Sequence, residues 1–137
     1  MRKRYIAAII AVALILLISL IVAIRRHRSR RIDPADFGAR WKALQKNCAS
    51  RKTWPDAICE ADDLLAEALK KAGFKGKTTG ERLVAAQHVL TMNEQVWLGH
   101  KLRGRIVGQD VRTIKKVDVF EALSGFRQAL RDLEALK

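Results

Sequence analysis

Acidic residues are missing from the first 31 positions of this 137-residue chain, although the whole sequence holds 14 of them. Those 31 positions carry eight of the 27 lysines and arginines, so this segment has a charge of +8 and the remaining residues a charge of +5. Cysteine is scarce too: Cys48 and Cys59 are the only two, which excludes a disulfide-rich scaffold. There is no Gly-rich phosphate loop, no nucleophile elbow, no His-Glu-x-x-His pair, no low-complexity stretch and no internal repeat. Metal ligation from Cys48, Cys59, His88 and His100 is not expected, since none of these falls within three or four residues of another. No cofactor is implied. About 105 residues remain once the first segment is set aside, enough for one small domain and too few for two.

Residues 6–24 read IAAIIAVALILLISLIVAI, nineteen positions broken only by Ser19. In a helix they reach about 28 Å, close to the roughly 30 Å hydrocarbon core of a bilayer. Ser19 can bond back to its own helix, and Tyr5 stands at an interfacial position. A cleaved secretory signal shares the basic start of Arg2, Lys3 and Arg4. The apolar run is longer than such signals use, however, and passes straight into arginines with no small-residue cleavage site. A retained single-pass anchor is therefore expected. Arg25, Arg26, Arg28, Arg30 and Arg31 outnumber the basic residues before the span, which favours a cytoplasmic C-terminal domain at the cell (inner) membrane. The same five arginines are expected to meet anionic lipid headgroups.

Beyond the anchor the text is all-α. Asp33…Asp36, Thr53…Asp56, Thr78…Glu81, Thr91…Glu94 and Asp118…Glu121 each place a capping residue three before a carboxylate, the spacing of a capping box. Pro34 and Pro55 suit first helical turns, and Gly73 and Gly108 suit helix ends. Apolar residues recur at spacings of three and four: Phe37, Trp41, Leu44 and Cys48; Trp54, Ile58, Ala61, Leu65, Ala68 and Ala72; Phe120, Leu123, Phe126, Leu130, Leu133 and Leu136. Helices are expected near 34–50, 54–72, 79–92, 94–107 and 118–136. The stretch from 108 to 117 is expected as a loop with some extended character. The fold class is a single transmembrane helix followed by a small antiparallel bundle of four to five helices. Its organisation is expected as 1–31 anchor, 32–53 juxtamembrane amphipathic helix and 54–137 helical bundle.

In the helix over 94–107, Leu98, Leu102 and Ile106 form one apolar line, and Val96, His100, Arg103 and Val107 form another. His100 and Arg103 therefore share a partly buried face, where a guanidinium needs an acceptor. Asp62, at the edge of its own helix's apolar stripe between Ile58 and Leu65, is the expected partner in a structural Asp62–Arg103 ion pair.

The run from Trp54 to Gly76, then Gly80-Glu81-Arg82-Leu83, then Trp97 to Gly108 and a last amphipathic helix resembles the four-helix HEPN-type domains, over about residues 54–136. The resemblance implies an Arg and a following His at a dimer groove, which support metal-independent RNA cleavage in active members. Arg103 stands at the Arg. Gly104 stands where Asn is common, Gly108 stands where the shortest spacing needs His, and no histidine follows Arg103. A group of near-neutral pKa must move the protons of such cleavage. A HEPN-like domain here is therefore degenerate, with His100 and Arg103 as weak catalytic candidates.

The expected function is a membrane-anchored, non-catalytic helical interaction module that dimerises or docks a protein partner. The alternatives are a nucleic-acid-binding protein at the membrane, with phosphate contacts from Lys70, Lys71, Lys75 and Lys77, or a degenerate HEPN-type ribonuclease.

Overall fold

The computed structural model describes residues 2–29, 31–109 and 114–137, with the side chains of 26–29 left out of the description. Among these residues there are six α-helices, two 3-10 turns and no strand: α1 Arg2–Ser29, α2 Pro34–Gln45, the turns Lys46–Cys48 and Arg51–Thr53, α3 Trp54–Lys71, α4 Thr79–Ala86, α5 Asn93–Val107 and α6 Lys116–Asp132. The chain divides into two compact units, residues 1–31 and 32–137.

The first unit is α1. Its Arg2–Arg25 stretch is 24 residues long, none of it buried by protein, and it is apolar enough to cross a membrane. Arg25 and Arg31 are exposed, while the side chains of Arg26, Arg28 and Arg30 lie outside the described residues.

The second unit is built around α3, which packs against α2, α4, α5 and α6. Its stripe of Ile58, Ala61, Leu64, Leu65, Ala68 and Leu69 is fully or almost fully removed from solvent. α2 adds Phe37, Trp41 and Leu44 to the same core. The segments expected as 32–53 and 54–137 thus share one core, because the apolar face of α2 is buried on α3. Arg40 adds an ion pair across that seam, 2.7 Å from Glu67 and 3.5 Å from Asp36. Its hydrogen bond to Glu67 raises the guanidinium pKa further.

One of the five capping signals, Thr78…Glu81, works from both ends, while Asp33 caps its helix alone because Asp36 pairs with Arg40 instead of reaching back. The Asp33 carboxylate accepts from the Ala35 amide at 3.0 Å, with Pro34 opening the helix. Thr78 Oγ1 accepts from the Glu81 amide at 3.2 Å, and Glu81 reaches back to the Lys77 amide at 2.6 Å. The other three are used differently. Thr53 closes a 3-10 turn, so its hydroxyl turns back and donates to the carbonyls of Asn47 and Ser50. Thr91 donates its amide and its hydroxyl to the Asp132 carboxylate, joining the start of α5 to the end of α6. Asp118 falls inside α6, which begins two residues earlier at Lys116.

α4 stops at Ala86 rather than near 92. The chain tightens there, with Gln87 bonding back to Val84, and the Asn93 side-chain amide donates to the carbonyls of Gln87 and Leu90. Gly73 closes α3 as expected: at φ +90° its amide bonds to Lys70 and the Phe74 amide bonds to Leu69, a Schellman pair. Gly108 does not adopt the left-handed conformation; Gln109 does so at φ +63°, one residue later. Residues 110–113 of the expected 108–117 loop lie outside the described residues.

The stripe expected on the last helix is displaced. Val119, Ala122, Phe126, Ala129, Leu130 and Leu133 are buried, whereas Phe120 is 60% exposed. Val107, placed on the inner face of α5 by spacing, is likewise exposed. The displacement follows from a close crossing of α5 on α6. A Cβ at Gly125 would lie 2.6 Å from the Cβ of Gln95 and 2.8 Å from the Val96 amide nitrogen. A Cβ at Gly99 would lie 2.4 Å from Phe126. The helices approach on their glycine faces, and that rotation turns Phe120 outward.

The crossing makes two alanine substitutions opposite in sign. Gly125→Ala drives a methyl group into backbone and lowers the unfolding free energy of the 32–137 unit by about 1–3 kcal/mol. Gly104→Ala, where nothing lies within 4 Å of the added Cβ, raises it by about 0.5–1 kcal/mol through helix propensity. Urea unfolding followed by circular dichroism measures both; equal effects would mean that α5 and α6 do not meet at Gly125.

Candidate functional site

Among the described residues Asp62 is the buried charged one, 1% exposed, on the stripe of α3 beside Ala61 and Leu65. An isolated carboxylate so placed is strongly disfavoured, so it must be met by donors. α5 supplies them from His100 and Arg103, which share a face at a spacing of three. His100 Nδ1 stands 2.9 Å from Asp62 Oδ1, and Arg103 Nη1 stands 3.0 Å from Asp62 Oδ2. The same guanidinium also bonds Asp63, the next residue on α3. Asp63 is the partner that apolar spacing did not reveal, since it is exposed and off the stripe.

The chemistry of this cluster follows from its partners. The hydrogen bond to Asp63 raises the Arg103 pKa, burial opposes that shift, and the bond to Asp62 adds to it. Arg103 is therefore a fixed cation. The Asp62 carboxylate only accepts, so His100 donates to it from Nδ1, and Nε2 is the ring nitrogen left outside that bond. That nitrogen lies near the first turn of α4: a Cβ on Gly80 would be 3.8 Å from it and 3.8 Å from Cη2 of Trp97. The Trp97 indole packs edge-on against the imidazole, with centroids 5.9 Å apart. An oriented imidazole is half of a nucleophile-activating pair, but no hydroxyl or thiol among the described residues is hydrogen-bonded to it.

Cys59 feels the Arg103 charge, yet burial dominates and raises its thiol pKa above the ordinary 9.0. Burial raises Cys48 in the same way, and both cysteines are free. Neither is an activated thiolate. A cleft of about 390 Å³ between α2 and α3 runs beside the cluster, lined by Arg40, Asn47, Glu60 and Asp63. Its polar groups are already engaged: Arg40 with Glu67, Asn47 with Glu60 and Asp63 with Arg103. No group of three His, Cys, Asp or Glu side chains able to hold a metal ion occurs among the described residues.

The four lysines considered for phosphate contact gather elsewhere. Lys70 and Lys71 end α3, more than two turns from Asp62, and Lys75 and Lys77 follow in the exposed turn to α4. Lys71 lies 3.7 Å from Glu67, so part of that positive charge is offset. No family model, no curated protein and no solved structure matches this chain.

Two outcomes follow. Asp62→Ala strands two donors on α5 and lowers the unfolding free energy by about 2 kcal/mol, less than for a fully buried pair because His100 and Arg103 remain about 30% exposed. Unfolding identical to wild type would mean that the cluster does not hold the helices. The raised thiols also set a pH effect. Folded Cys48 and Cys59 ionise at higher pH than unfolded cysteine, so they add stability below about pH 9 that is lost as pH rises through their folded values. Alkylation by iodoacetamide at neutral pH is accordingly slower in the folded domain than in urea; equal rates would contradict the burial of both thiols.

Proposed function

We propose that this chain is a single-pass membrane protein whose α1 spans the bilayer and whose helical domain, on the cytoplasmic side, is a non-catalytic interaction module that docks a protein partner or a second copy. The observation that carries this reading is the Asp62 cluster. His100 and Arg103 are both bonded to the Asp62 carboxylate on the neighbouring helix, and no hydroxyl or thiol among the described residues is hydrogen-bonded to the imidazole for it to activate. The distribution of arginines about the apolar stretch supports the orientation, and the length and full exposure of α1 support the span. In this reading the bundle is a HEPN-like domain that has kept the arginine and lost the acid/base group. The offset of Lys71 by Glu67 weakens the case for nucleic acid as the principal ligand.

Two measurements test the proposal. The full chain is expected to stay in the pellet when membranes are washed with alkaline carbonate, and its domain to be digested only when the cytoplasmic face is opened to protease. Recovery in the soluble fraction would overturn the anchor. Incubation with single-stranded RNA is expected to give no cleavage above buffer for wild type, Arg103→Ala or His100→Ala. Wild-type turnover that either substitution abolishes would overturn the non-catalytic reading.

A further inference from the structure

α6 has two faces. One is buried through Val119, Ala122, Phe126 and Leu130. Opposite it, spacing of three and four aligns Lys116, Phe120, Ser124, Arg127 and Arg131, all exposed, with Val117 beside them. Phe120 and Val117 are 60% and 62% exposed, an apolar pair on an otherwise cationic face. The Lys116 ammonium stands over the Phe120 ring at 5.7 Å. Lys116 and Arg127 have no carboxylate partner among the described residues, and Arg131 bonds only the terminal carbonyl of Lys137. The acids on this helix are peripheral: Glu121 lies at one border and Asp132 is engaged by Thr91 and Gln128. Asp118 lies beyond them, toward the buried side.

The apolar surface continues past Phe120. α2 and α6 both pack on α3 and leave a groove of about 310 Å³ between them, lined by Trp41, Cys48, Phe120, Leu123 and Arg127. Trp41 is 7% exposed, and its indole N–H has no acceptor among the described residues. Aromatic and aliphatic side chains standing out of a basic helix face match the anatomy of an interfacial membrane-binding helix.

We propose that the outer face of α6 docks on a bilayer surface, with Phe120 and Val117 entering the headgroup region and Lys116, Arg127 and Arg131 meeting anionic lipid phosphates. Charge favours this occupant over a second copy, because two such faces packed about a twofold axis would oppose like charges. The inference rests on the anchored reading in one respect. A domain tied to the bilayer by its own chain meets that surface at high effective concentration, so a modest intrinsic affinity suffices. The contact gives the domain a second, salt-sensitive hold on the membrane and leaves its other surfaces for a partner.

The test uses residues 32–137, a unit with its own core, and therefore does not depend on α1. The fragment is sedimented with vesicles of phosphatidylglycerol and phosphatidylcholine in equal parts, and with vesicles of phosphatidylcholine alone. Binding is expected only to the anionic vesicles, and it weakens as salt is raised above physiological strength. Phe120→Ser is expected to weaken it about tenfold or more, and Lys116→Gln and Arg127→Gln about fivefold each. Circular dichroism confirms that each exposed substitution leaves the fold intact. Equal binding to both vesicle types, no binding, or loss of binding only on replacing Lys70, Lys71, Lys75 and Lys77 would overturn the proposal. Tighter binding of the same face to soluble polyglutamate than to vesicles would also overturn it, assigning the face to an acidic protein. Carbonate extraction of the full chain tests the anchor separately, so failure of either idea is distinguishable.

Discussion

Removing the Asp62 carboxylate from water costs several kcal/mol unless donors replace the lost hydration, and that cost constrains the bundle. Both donors come from α5 and lie one turn apart, so α5 can satisfy Asp62 at only one rotation and one height against α3. A purely apolar seam would tolerate a slide of one turn at little loss; a buried carboxylate with two directional partners would not. Once α5 is fixed in this way, its glycine face is presented to α6, and Gly99 and Gly125 let the two backbones come close. The Asp62 contact is therefore local in extent and global in consequence.

The same constraint shapes the surface. With α5 and α6 meeting at the glycines, α6 buries Phe126 and Leu130 and exposes Phe120. Phe120 stands exposed beside Lys116 and Arg127, neither of which has a carboxylate partner among the described residues. α2, folded onto α3 by Phe37 and Trp41, forms the other wall of the groove beside it. The domain thus holds Asp62, His100 and Arg103 between its helices and keeps an amphipathic, basic face of α6 outward.

Much of this was legible in the sequence. The helical class, the central apolar stripe of α3, the Gly73 terminus and the Asp33 and Thr78 caps all follow from local rules, because each is decided by residues within one turn. The contact between Asp62 and Arg103 was legible for a different reason: a charge on an apolar stripe demands a partner, and few were available. What could not be read was decided between helices. Thr91 carries a valid capping pattern, yet the Asp132 carboxylate, 41 positions away, takes its amide and hydroxyl. Phe120 fits the apolar period of its helix as well as Val119 does. Only the approach of α5 at Gly99 and Gly125 chooses between the two phases. Asp63 gave no signal, since an exposed acid beside a buried one looks like ordinary surface.

The central claim is that His100 and Arg103 act on Asp62 as a unit that joins α5 to α3. A double-mutant cycle on residues 32–137 tests it most directly, comparing Asp62→Ala, Arg103→Met and the two combined by urea unfolding. Residues bonded at 3.0 Å across a part-buried seam should show a favourable coupling of about 1 kcal/mol or more, so the double variant loses less than the two single losses added together. Strict additivity would contradict the account, since it would mean that the two side chains stabilise the domain independently and that the register of α5 is set by something else.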